Sequence, residues 1–202
     1  MPGLRWLAGL AGALVTAMPA WAHGTLPGIN QFYNGVLHPL LAPAHLLALL
    51  ALALLAGQQG LRPRPWEVIG LGAGMAMGAL AAAAAGDPDT DRWLWLATLA
   101  TGLAVALARA LLGLVRLLPG AAIGLAMGLG SADVALQGAT RIATLLGSYL
   151  GAMIFIAYAA LGVDALLRAW PVPALRIGVR VLASWLMACA VLMLALAIRK
   201  GG

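Results

Sequence analysis

VLHPLLAPAHLLALLALALLAG, residues 36–57, contains no charged residue and is long enough to cross a bilayer as a helix. Its character extends along the chain. Of 202 residues, 63% are hydrophobic and 9% charged, and the mean hydropathy is +0.99. Soluble domains run at about 45–50% apolar and about 25% charged. The composition therefore excludes a water-soluble globule and a disordered tail alike, and it predicts an all-α polytopic transmembrane helical bundle. Five further apolar stretches of spanning length follow, at 66–85, 93–115, 117–136, 142–165 and 177–198. The joints carry breakers and charges, including a tight turn expected at Pro119. Trp66, Trp93, Trp95 and Trp170 fall at span ends, where indole rings favour the interface.

Upstream, Arg5 and the apolar run Trp6 to Thr16 precede Ala20-Trp21-Ala22, the small-x-small pattern of signal peptidase. Residues 1–22 read as a cleaved secretory signal, against an uncleaved anchor helix. Residues 23–202 then form one transmembrane domain, with His23 at the mature terminus outside the cytoplasm. With that orientation Arg62, Arg64, Arg116, Arg168, Arg176 and Arg180 lie inside, as the positive-inside bias requires. Arg92, Arg141, Asp87, Asp89 and Asp91 lie outside; so, mildly against the rule, do Arg199 and Lys200.

The net charge of +6 comes from arginines scattered near span ends, without a basic stripe, so nucleic acid is not a partner. The single cysteine, Cys189, excludes an internal disulfide and a Cys-based zinc site. Glycines recur every fourth residue at Gly70, Gly74 and Gly78, at Gly120, Gly124 and Gly128, and at Gly147 and Gly151. Such rows let helix backbones approach closely.

Chemistry rests on the few polar residues at membrane depth, which are costly to keep there. His38 and His45 are seven residues apart, two helical turns, and share a face. In a straight helix they would lie about 10 Å apart along the axis, too far for one ion held at about 2 Å from each nitrogen. Pro43 removes a helical hydrogen bond and strains the preceding turn. A break there would bring the two imidazoles together. His23 is a third candidate ligand, through its imidazole and α-amine, or else a tolerated residue after the cleavage site. Asp133, in the outer third of the fourth span, either pairs with Arg141 or completes a cation site with the histidines. Glu67 and Asp164 at span ends read as solvated charges, and Arg109 as snorkelling to the interface. Met75, Met127, Met153 and Met187 read as packing residues rather than copper ligands.

A segment ending in Ala22-His23, then Gly35, His38-Pro39 and His45-Leu46-Leu47-Ala48 opening the first of about six spans, resembles the HupE/UreJ family over the whole chain. The resemblance implies an accessory protein of hydrogenase or urease systems and a nickel or cobalt permease of the bacterial inner membrane. Together with the polar residues at membrane depth, it points to a periplasmic-side metal site of His38, His45 and His23, with Asp133 as the further candidate read from its depth. The family's first-span motif, His-Pro-x-x-Gly-x-Asp-His, departs here at Ala42 and Ala44, and the later-span histidine motif is absent between Gly124 and Gly138. The expected cargo is a divalent transition metal, nickel first, with cobalt or copper as alternatives. The implied partners are membrane lipid and the metal ion. The alternative function is a non-transporting membrane accessory or assembly subunit of a metalloenzyme system, copper-handling systems included, that holds a maturation partner or a further copy of itself. An enzymatic reading fails: Gly130-Ser131 would need a base, and no histidine follows His45. No Walker-type phosphate loop is present, so ATP hydrolysis by this chain is not expected.

Overall fold

The computed structural model describes residues 28–85, 89–130 and 138–201. Among them are seven α-helices: α1 (Gln31–Leu41), α2 (Pro43–Gln59), α3 (Trp66–Ala85), α4 (Thr90–Ala106), α5 (Leu117–Gly130), α6 (Gly138–Ala169) and α7 (Pro173–Gly201). A 3-10 turn, Gly113–Arg116, leads into α5. Gly113–Gly130, Gly138–Ala169 and Pro173–Arg199 have the length and apolarity of membrane-crossing segments. The bent pair α1–α2 makes a fourth when counted as one, and Trp66–Ala82 is a shorter apolar helix.

The apolar surface is arranged for lipid rather than water. Large hydrophobic side chains cover the outside, with Leu80, Tyr158, Trp185 and Ile198 all more than two-thirds exposed. In the interior, α2 is surrounded: Ala48, Leu49, Ala51, Leu52, Ala53, Leu55 and Ala56 are all buried. A helix apolar on every side belongs at the centre of such a bundle. Trp95, expected at an interface, is instead 4% exposed and packs in the main core with Leu49, Leu52 and Met127. Trp93 and Trp170 remain exposed.

The glycine rows determine the closest helix pair. α3 and α5 lie against each other with Gly70, Gly74 and Gly78 on one face and Gly120, Gly124 and Gly128 on the other. A Cβ on Gly124 would stand 2.8 Å from Met75 N, and one on Gly74 2.9 Å from Leu125 N. Backbone on each side thus fills the space a side chain would need. The third row works the same way: Gly147 and Gly151 on α6 face Phe32 and Val36 of α1, and Gly35 faces Thr144 and Ser148.

Two boundaries differ from the sequence reading. The span drawn over 93–115 is helical only to Ala106. Its end is a Schellman cap: Ala108 N–H donates to Val105 O and Arg109 N–H to Ala104 O. Ala108 adopts φ 51°, the left-handed conformation that glycine accepts more readily. The chain is turned there and not at Pro119, which sits in the first turn of α5. A proline costs little at that place, because the first N–H groups of a helix have no intrahelical acceptor. Arg109 is consequently exposed in the loop after α4.

Candidate functional site

The break between α1 and α2 follows from one dipeptide. The ring of Pro43 disfavours helical backbone at the residue before it, and Ala42 accordingly takes φ −80°, ψ 115°. Pro43 itself starts α2, at a position where its missing N–H costs nothing. Both helix ends are still closed around the break, since Ala42 N–H donates to His38 O and Ala42 O accepts from Leu46 N–H, each at 3.0 Å. The two axes diverge by 67°. α6 holds this shape by packing along both arms, tightly against Gly35 of α1.

The bend folds His38, on the last turn of α1, toward His45, on the first turn of α2. Their ring centroids are 5.0 Å apart with planes at 81°. His45 is buried and His38 partly so, which leaves the pair approachable from the His38 side. A nitrogen about 2.1 Å from a divalent metal places its ring centre about 3.2 Å from the ion. Two imidazoles at angles from square to tetrahedral then have centres about 4.5–5.2 Å apart. The observed separation of 5.0 Å falls in that interval. Among the described residues no group of three His, Cys, Asp or Glu side chains converges. Ala42 and Ala44 are buried beside the pair and bring no donor. His23 and Asp133, together with Ser131, Asp87 and the segment read as a signal, lie outside the described residues.

Two acidic residues read as solvated charges are buried and paired. Glu67 is 0% exposed and receives a two-pronged contact from Arg116, with Nε 2.7 Å from Oε1 and Nη2 2.9 Å from Oε2. The same Nη2 donates to Gly60 O at 2.7 Å and satisfies a carbonyl at the end of α2. Glu67 also lies in the first turn of α3, where the helix dipole favours a negative charge. Asp164 is 4% exposed and pairs with Arg168 one turn away. At 49 residues' separation, the Glu67–Arg116 partnership leaves no local signal in the sequence.

Beside Asp164 lies a polar recess, a cavity of about 600 Å³ between the ends of α2, α6 and α7 and the loop after α4. Arg109, Arg168, Arg176 and Arg180 line it, with Gln58 and Gln59. The glutamines tie the loop in place: Gln58 Nε2 donates to Val105 O, Gln59 Nε2 to Arg109 O, and Gln59 Oε1 accepts from Leu111 N–H.

The chain matches the HupE / UreJ protein family over residues 11–195, nearly its whole length. It belongs to that family. No match is found among curated proteins or among solved structures. The HupE/UreJ family is of accessory and transporter type, which supports a membrane accessory or metal-transport-related role, and the apolar helices agree with a membrane protein.

Proposed function

We propose that this HupE/UreJ protein is a multi-pass permease of the bacterial inner membrane. In this reading it spans the membrane about six times after a cleaved signal and takes a divalent transition-metal cation, nickel or cobalt, from the periplasmic side. His38 and His45 form the first grip on the ion, and His23 at the mature terminus and Asp133 supply further donors. The observation that carries the reading is the 5.0 Å approach of the two imidazoles at the Pro43 break. A break within an apolar segment brings two helix ends to one place, as the discontinuous helices at transporter substrate sites do. Imidazole suits nickel, cobalt, copper and zinc alike, so the pair limits the cargo to this class.

Only neutral imidazole binds a metal, so capture weakens as the pH falls. The test is uptake of radiolabelled nickel and cobalt into cells carrying the full-length protein, against cells without it. Accumulation should rise with the protein and return to background with His38→Ala or His45→Ala. Equal accumulation in all cells, for both metals, rejects transport.

Ala42 and Ala44 stand where the family motif carries Gly and Asp, and this favours a second reading, a non-transporting accessory subunit. That reading predicts a maturation protein that co-purifies with the chain and stays bound in the His38→Ala/His45→Ala variant.

A further inference from the structure

The arginine-lined cavity has an apolar continuation that gives it a purpose. Four arginines, Arg109, Arg168, Arg176 and Arg180, line it with a single acidic residue, Asp164. That carboxylate is already taken by Arg168, and Arg180 spends its Nε on Ala106 O. Among the described residues neither Arg109 nor Arg176 has an acidic partner. The recess is thus strongly cationic and within the size range of small-ligand pockets, roughly 300–1,000 Å³.

Beside it, between α2, α6 and α7, runs a groove of about 370 Å³ lined by Leu54, Val163, Leu166, Leu182 and Trp185. Val179 lines both spaces. From Val179 the groove passes around α7 to Leu182 and Trp185, about 9 Å further along the helix and away from the face that carries Arg176 and Arg180. A charged mouth that continues into an apolar slot along the outside of a membrane helix matches an amphiphile with an anionic head. Arginine forks bind phosphate through paired N–H donors.

We propose that this cavity and groove together hold one anionic phospholipid, its phosphate among Arg109, Arg176 and Arg180 and an acyl chain against Leu182 and Trp185. The bound lipid bridges α2, α6 and α7 with the loop after α4 and fixes that end of the bundle. The site lies apart from the histidine pair, and His38→Ala leaves it intact.

The experiment is native mass spectrometry of the full chain in detergent, titrated separately with phosphatidylglycerol, phosphatidylcholine and inorganic phosphate. One phosphatidylglycerol should bind about tenfold or more tightly than phosphatidylcholine, since each charge-assisted contact contributes on the order of one decade in affinity. Arg109→Gln with Arg176→Gln should abolish that preference. Both residues are exposed. Gly178→Phe fills the groove from a position where an added Cβ meets nothing within 4 Å, and it should weaken phosphatidylglycerol while leaving inorganic phosphate unchanged. Equal retention of the two lipids by the wild-type protein overturns the proposal, with no variant needed. So does inorganic phosphate that displaces the lipid in wild type and Gly178→Phe alike, which would mark a site for free phosphate.

Discussion

Removing one partner of the Glu67–Arg116 pair should be far more damaging than removing both. The pair is almost wholly out of water, with side-chain exposures of 0% for Glu67 and 11% for Arg116. Arg116→Leu strands a carboxylate in an apolar interface, and the loss expected for breaking a buried pair is about 3–5 kcal/mol. Glu67→Leu strands the guanidinium, which keeps its bond to Gly60 O and lies nearer the surface, so its loss should fall toward the lower end. The double variant Glu67→Leu/Arg116→Leu leaves no orphan charge. Replacing both partners by apolar groups is often near neutral, and what remains is the uncapped Gly60 carbonyl, about 1 kcal/mol. A double-mutant cycle should therefore give a coupling of several kcal/mol, with the double variant more stable than either single. The assay is reversible unfolding in mixed micelles, followed by circular dichroism. Arg116→Leu costing less than about 1 kcal/mol, or a double variant as unstable as the summed singles, would refute the reasoning.

Glycine substitutions should change sign with location. Gly124→Val pushes a branched side chain into backbone 2.8 Å away on α3 and should cost about 2–3 kcal/mol or more. Gly162→Ala, on α6 with open space around the new Cβ, should be neutral or stabilise by about 0.5–1 kcal/mol; thermal unfolding of the two side by side checks both. Ala108→Gly relieves a left-handed alanine and should stabilise by about 0.5–1 kcal/mol in the same assay. Pro43→Ala removes the ring that forces Ala42 out of helical backbone. It should let α1 and α2 straighten, separate the imidazoles and lower nickel affinity in equilibrium dialysis about tenfold or more while helix content holds.

The helical class was legible because composition alone excludes water as the solvent for this surface. The break at Ala42 was legible for a different reason: the constraint that proline places on the preceding residue is local. So was the use of the glycine rows, since a four-residue period defines one helix face. The pairing of those rows, α3 with α5 and α6 with α1, is a tertiary choice that the period does not encode. Glu67 looked solvated because a span end is where solvated charges sit. Only the fold brings Arg116 across to it and buries both. Of the cavity's arginines, Arg168, Arg176 and Arg180 were read as orienting charges near span ends and Arg109 as snorkelling; their convergence depends on where α4 stops and how its loop turns back. Of the four candidate ligands, the two on the broken segment are brought together. His23 and Asp133 fall outside the described residues.

The central claim is that His38 and His45 grip one transition-metal ion. Cobalt(II) titrated into the purified full-length protein reads this directly, through the visible ligand-field bands that imidazole coordination produces. The account predicts saturation at one ion per chain and at least about tenfold weaker binding in His38→Ala and in His45→Ala. Bands of the same intensity and midpoint in the His38→Ala/His45→Ala double variant would contradict it.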